Sequence, residues 1–275
     1  MKYELKSLTV DEKCELLEYL LKKYNLSKKL LKNFLSSKRV LVNGHVQTKF
    51  DYKLNIGDEL VVLERVIMCK KIIPIIYEDD YLIVINKPSG LLSISNNSSE
   101  LNAYNLVSNY VKTKNKRNKI FVIHRLDKET SGLLMFSKNQ DLKNTFQNNW
   151  NKYALKRGYI ALLEGNLSKK SGTIKSYLKE TKTHYVYSSS SGKEAITNYS
   201  LIKNIGDKCL VQIFIDTGRK NQIRVHMKDI NHPIVGDKKY GNGKNELCLC
   251  ANILEFYHPI KKEIIKLTIS IPFKI

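Results

Sequence analysis

A short polar turn carrying one carboxylate, Asp127, lies between two apolar runs, residues 120–123 and 133–136. Short runs of β-branched and large apolar residues bounded by polar clusters read as strands, so the turn is expected to be gripped by a sheet on both sides. A carboxylate held that firmly suits covalent or acid/base chemistry. The plainer alternative is that Asp127 caps its own turn, as most loop aspartates do.

The strand-rich style persists from residue 75 to the end of the chain. Residues 159–163 read as a strand, and residues 209–216 alternate well enough for a half-buried one that Gly218 breaks. Residues 220–230 read as a helix burying Ile223, Met227 and Ile230, which turns Arg224 and Lys228 to another side. Residues 188–192 have the composition of a hairpin tip, a turn is expected at His258-Pro259, and residues 265–271 read as a closing strand. Residues 93–100 are polar and low in complexity, as a loop is.

The N-terminal part differs. Leu16, Leu17, Leu20, Leu21 and Tyr24 share one helical face, and Leu30, Leu31, Phe34 and Leu35 repeat the pattern after Ser27, an N-cap residue. Residues 40–42 then meet Asn43-Gly44, the favoured two-residue hairpin turn, and Asn55-Ile56-Gly57-Asp58 introduces a strand at 60–63. Residues 65–73 read as a linker, so the expected domains are 1–66 and 67–275.

Composition narrows the partners. The chain carries 47 Lys plus Arg against 26 Asp plus Glu, a formal charge of +21, which implies a polyanionic partner such as nucleic acid or an acidic membrane surface. A uniformly lysine-rich surface would give the same total, but Lys112, Lys114, Lys116, Arg117 and Lys119 cluster just before the Asp127 turn. No apolar run approaches the roughly 18 residues of a membrane span, and the N-terminus has no signal-peptide core. A cytoplasmic protein is expected, with Cys14, Cys69, Cys209, Cys248 and Cys250 as reduced thiols rather than metal ligands.

The motif His-Arg-Leu-Asp-Lys-Glu-Thr-Ser-Gly-Leu, which begins at His124, resembles the catalytic motif of the RluA-type pseudouridine synthases. Residues 77–91 resemble the strand and Lys-Pro turn that open that catalytic domain. Residues 156–165, with Tyr159, resemble its second motif, and residues 217–241 its third. The helix-helix-hairpin at the N-terminus, with Lys28, Lys29, Lys32, Lys38 and Arg39 assigned to its second helix, resembles the alpha-L RNA-binding module of a small-subunit ribosomal protein. A plain packing domain is the alternative there.

The resemblance implies an α+β fold: a mostly antiparallel, mixed-sheet catalytic domain behind a small alpha-L domain. It implies isomerisation of uridine to pseudouridine in structured RNA, with ribosomal RNA of the large subunit as the expected substrate and transfer RNA as the alternative. No cofactor or metal is expected, nor any membrane partner, and a monomer is expected. Asp127 is implied as the essential carboxylate, attacking sugar or base or abstracting a proton, and Arg224 as its cationic partner. Tyr159 is implied to stack on the extracted uracil or move a proton, although alone it reads as a core tyrosine. Arg125 resembles the arginine that fills the space of a flipped-out base. His124 is expected to be structural, and Lys87 and Pro88 to shape a turn.

Relatives commonly carry Gly-Arg-x-His-Gln-Ile-Arg and Leu-His-Ala, where this chain has Asn221 and Leu249-Cys250-Ala251. Neither departure touches Asp127, Tyr159 or Arg224. A catalytically silent RNA-binding assembly factor is the competing class.

Overall fold

Antiparallel pairing builds both parts of the chain in a computed structural model, which describes residues 6–24, 26–37, 39–62, 73–96, 100–243 and 245–273. Met1–Pro74 with Ile94–Ile120 form one unit, and Ile75–Ser93 with Phe121–Ile275 the other. The boundary expected at 66/67, and nearly all of the expected linker, lie outside the described residues.

The first unit contains β1 (Lys6–Thr9), β2 (Cys14–Glu15), α1 (Leu16–Lys23), α2 (Lys28–Ser36), β3 (Val40–Val42), β4 (His45–Val46), β5 (Lys53–Leu54) and β6 (Glu59–Val62), with α3 (Ala103–Lys114) in its second segment. Its sheet has the order β1-β6-β3-β4, and β2 pairs with β5. Asn43 and Gly44 take φ values of 50° and 77°, the left-handed pair that a tight hairpin turn requires. The Ser27 hydroxyl accepts from the Leu30 N–H at 3.3 Å, capping α2.

Leu16, Leu17, Leu20, Leu31 and Leu35 bury against Val40, Val42, Leu54 and Leu60 as their spacing requires. Tyr19 joins that core although its polarity hid it. Its hydroxyl donates to the Asp11 carboxylate at 2.9 Å, which removes the cost of burying it. Leu21 and Leu30 are exposed instead.

The expectation for Arg39 needs correcting. The Ser37 hydroxyl donates to the Asn33 carbonyl at 2.6 Å where α2 ends, so Arg39 falls beyond the helix. Its side chain is buried, with the guanidinium 3.7 Å from the centre of the Phe34 ring. Lys28, Lys29 and Lys32 are exposed on α2; Lys38 lies outside the described residues.

The second unit is built on an 11-stranded sheet. Its strands are β7 (Ile75–Glu78), β8 (Leu82–Lys87), β9 (Phe121–Val122), β10 (Ser131–Ser137), β11 (Ala154–Glu164), β12 (Ser171–Glu180), β13 (Val186–Ser189), β14 (Lys193–Ile205), β15 (Lys208–Ile215), β16 (Leu249–His258) and β17 (Glu263–Thr268). The order runs β13-β12-β14-β15-β11-β16-β10-β8-β7, with β17 on β16 and β9 on β10. The fold is the α+β arrangement with a large, mostly antiparallel sheet.

Helices cover the sheet locally. In α4 (Gln140–Asn148), Leu142 and Phe146 pack on Leu82, Val84, Met135 and Phe256, and the one-turn α5 (Trp150–Tyr153) follows. Neither helix is among the elements expected from the sequence. In α6 (Gln222–Asp229), Ile223 and Met227 bury against Ala161, Val211, Ile213 and Ile234.

The only parallel register among the described strands, β10 with β16, pairs Ser131 with Cys250 and Gly132 with Ala251. It dictates the glycine of the motif. Gly132 has φ 114°, and a Cβ there would lie 2.3 Å from the Ala251 carbonyl oxygen.

A Gly132→Ala substitution should therefore cost at least about 2 kcal/mol, read as a lower urea midpoint at constant slope. Gly90→Ala is the comparison. Gly90 also has positive φ, 77°, but nothing within 4 Å of the added carbon, so it should cost only about 1 kcal/mol.

Candidate active site

The Asp127 turn is held from beneath by the segment that follows β8. Lys87, the last residue of β8, is fully buried. Its ammonium donates to the carbonyls of Pro88 at 2.9 Å, Leu91 at 2.7 Å and Lys128 at 3.0 Å. The Ser89 hydroxyl donates to the Glu129 carbonyl at 2.8 Å. Buried Ser93 donates to the Leu126 carbonyl at 2.7 Å and accepts from the Leu126 N–H at 3.0 Å. The turn closes on itself through Thr130 N–H to the Asp127 carbonyl at 3.2 Å. Residues 126, 128 and 129 are thus each tied to residues 87–93, and Asp127 is presented between them.

The electrostatics set two effects against each other. Burial raises a carboxyl, and a nearby cation lowers it. For Asp127 burial is the larger, so its carboxyl is pushed above the ordinary range. Arg224, Lys220, Lys87 and Lys239 pull the other way, in that order. Lys87 responds in kind: burial brings its ammonium down to about 8, opposed by Glu129 and Asp127.

Arg224, on α6, was expected to pair with Asp127. Its guanidinium is instead engaged by Asp237, with Nε to Oδ2 at 2.8 Å and Nη2 to Oδ1 at 2.7 Å. A bidentate fork of this kind fixes the guanidinium plane. Asp237 Oδ1 also accepts the N–H groups of Lys239 and Tyr240, each at 2.9 Å. Against burial, Arg224 holds the Asp237 carboxyl below its ordinary range. Arg224 therefore reaches Asp127 as a field from a fixed position.

Tyr159, on β11, brings a phenol to the same place. Burial raises it to about 12, with Arg157 opposing and Asp127 adding to the rise, so it keeps its proton at neutral pH. His124 is structural as expected. Its Nε2 accepts the Met135 N–H at 3.1 Å, its ring lies 5.2 Å from that of Trp150, and burial brings it down to about 4. Arg125 is exposed, and among the described residues no ion pair holds it. The structure thus brings together Asp127, Tyr159, Arg224 and Lys87; Lys28, Lys29 and Lys32 belong to the other unit.

The model of the family described as RNA pseudouridylate synthase matches residues 81–229, which include every one of these four groups. The chain is a member of that family. As such it is an isomerase. A similar protein is the uncharacterized RNA pseudouridine synthase YhcT of Bacillus subtilis, 30% identical over 253 residues, covering 87% of this chain and 83% of that one. The ribosomal large subunit pseudouridine synthase D of Borreliella burgdorferi is 35% identical over 194 residues, 67% of this chain and 60% of that one. The fold is similar to that of human RNA pseudouridylate synthase domain containing 4, with a TM-score of 0.64, 22% identity, and coverage of 76% of this chain and 92% of that one.

Both departures of this pseudouridine synthase from the common pattern lie behind the site. Asn221 precedes α6 with φ 53°, a left-handed conformation that Asn accepts more readily than most residues. Its amide donates to the Tyr240 hydroxyl at 2.9 Å, and the Tyr240 ring lies 5.1 Å from the Arg224 guanidinium. Cys250 is fully buried on β16 beside Ser131 and Ile160, and burial raises its thiol. Among the described residues, Cys14, Cys209, Cys248 and Cys250 are free thiols, and no three His, Cys, Asp or Glu side chains are grouped to hold a metal ion. Cys69 lies outside them.

Sequence reasoning missed Asp237, Tyr240 and Ser93. A signal existed for Asp237, because a buried arginine demands a carboxylate and Gly236-Asp237 sits in the third motif. Ser93 carried none.

Lys87→Met should destabilise the protein by about 2–4 kcal/mol, since three carbonyls lose a charged donor. The difference should depend on pH. The folded value, about 8, lies below the unfolded 10.5, so from pH 8 upward the unfolded chain binds more protons and the wild type gains stability. Urea unfolding of both proteins between pH 7 and 10 should show the gap widening.

Proposed function

We propose that this chain isomerises uridine to pseudouridine in structured RNA of the large ribosomal subunit, with Asp127 as the essential carboxylate. The observation that supports this most is the turn itself, pinned on both sides of Asp127 and surrounded by cations that keep a half-buried carboxylate usable. The reaction breaks the bond from ribose C1′ to uracil N1, turns the base, joins C1′ to C5, removes the C5 proton and returns a proton to N1. Attack on sugar, attack on base and proton abstraction all require the ionised carboxylate. Arg224 stabilises that form, Tyr159 offers a ring face and a protonated phenol, and Arg125 fills the space of the flipped-out uridine.

Relatives named as ribosomal large subunit pseudouridine synthases support the substrate class, among them synthase C of Rickettsia prowazekii, 34% identical over 219 residues that cover 75% of this chain and 71% of that one. The N-terminal residues 1–66 act as an alpha-L RNA-binding domain ahead of a catalytic domain at 67–275, meeting phosphates through Lys28, Lys29 and Lys32. The enzyme works as a monomer in the cytoplasm. Among the described residues no helix is long and apolar enough to cross a membrane.

Chemical mapping of pseudouridine across all RNAs, in cells with and without the gene, should show modified sites disappearing from large-subunit ribosomal RNA. Losses in transfer RNA would move the substrate class, and no loss at all would favour a silent RNA-binding factor. Asp127→Asn should abolish tritium release from labelled uridine while RNA affinity changes by less than about tenfold.

Removing Arg224 takes away the largest force that lowers the Asp127 carboxyl. Because the ionised form is the working one, activity falls as pH drops through that value. Arg224→Ala should move the acid limb of kcat/KM to higher pH, and Arg224→Lys should move it less. Unchanged limbs would separate the two residues. Lys28→Ala, Lys29→Ala and Lys32→Ala together should lower the log-log salt slope of RNA binding by about 0.7 to 0.9 for each phosphate no longer neutralised.

A further inference from the structure

The hairpin of β12 and β13 reaches the rim of the site, and its tip is fastened there by two lysines. Lys220, just before α6, donates to the Glu180 carboxylate at 2.5 Å. Glu180 also holds His184 Nδ1 at 2.7 Å. Lys239, in the segment that carries Asp237, donates to the His184 carbonyl at 2.6 Å. Its ammonium stands 5.7 Å from the ring centres of both Tyr185 and Tyr240, which are themselves 5.0 Å apart.

The cations here are not all paired directly. Arg224 is neutralised by Asp237, and Lys220 rests on Glu180, but among the described residues no carboxylate lies within ion-pair distance of Lys239. Both lysines are exposed, both act on the Asp127 carboxyl, and Lys239 is crowded by Lys220 and Arg224 once burial is counted. A cation beside that carboxylate with no ion pair of its own, and with an aromatic pair under it, suits the phosphate of a nucleotide whose neighbour is in the site. The two acceptors on the hairpin tip, a carboxylate and a carbonyl, present oxygens where phosphate oxygens would sit.

We propose that Lys220 and Lys239 form a phosphodiester clamp for the RNA strand next to the target uridine, and that Glu180 and the His184 carbonyl hold the clamp until RNA displaces them. This rests on the reading of the protein as an RNA-modifying enzyme. The exchange carries a sign that a simple basic surface lacks: losing Glu180 should help binding. An exposed ion pair of this kind is weak enough for RNA to break, since such pairs are worth little in water.

The test uses the full-length protein, a fluorescent single-stranded oligouridylate at several salt concentrations, and total RNA from cells lacking the gene for activity. Lys220→Ala and Lys239→Ala should each lower the log-log salt slope by about 0.7 and raise KM more than they lower kcat. Glu180→Gln should tighten binding by up to about fivefold. Lys266→Ala and Glu255→Gln, taken from the pair between β16 and β17, make the same charge changes elsewhere and should do neither. Equal effects from the two sets would overturn the clamp, because net charge alone would then explain them. Unchanged slopes in Lys220→Ala and Lys239→Ala, with active wild type, would also overturn it while leaving the enzyme reading intact. A wild type that neither binds nor modifies RNA would instead sink that underlying reading.

Discussion

The ammonium of Lys87 is the interaction on which the site depends. It is a charge buried at the end of a strand, where isolation would cost several kcal/mol, and each of its hydrogens meets a carbonyl. One of those carbonyls belongs to Lys128, the residue after Asp127. A single side chain thereby ties the strand β8, the turn behind it and the loop that presents the carboxylate. Its charge also balances part of the cost of keeping Asp127 in the same region. The Lys-Pro turn is thus more than a bend in the chain.

Around this centre the site is arranged by burial and countercharge in layers. Asp237 fixes Arg224, and Tyr240 borders Arg224 while its hydroxyl accepts from Asn221 and from the Val186 N–H. Asn221 supplies a left-handed backbone and a neutral donor to Tyr240, with no titrating ring at that position. Burial makes the Asp127 carboxyl harder to ionise, and the cations around it pull the other way.

What could be read from the sequence followed from local rules. The Asn43-Gly44 turn, the Ser27 cap, the strands on either side of Asp127 and the buried face of α6 all come from residue type and spacing. What stayed hidden depends on tertiary partners. Arg39 looked like one more basic helix residue until the Ser37 cap ended α2 and Phe34 took up its guanidinium. Arg224 forks onto Asp237 rather than Asp127, a pairing hidden because the chain separation between residues 224 and 237 carries no periodic signal. Tyr19 entered the core because its hydroxyl finds partners in the Asp11 carboxylate and the Thr9 carbonyl.

Asp127 is a half-buried carboxylate that burial raises and the cations around it lower, Lys87 among them. A carbon-13 NMR titration of aspartate carboxyls, assigned with Asp127→Asn, measures this directly in the wild type and in Lys87→Met. Asp127 should titrate above the ordinary value of 3.8 in the wild type and higher still in Lys87→Met. Titration at or below the ordinary value, or no change on removing Lys87, would contradict it.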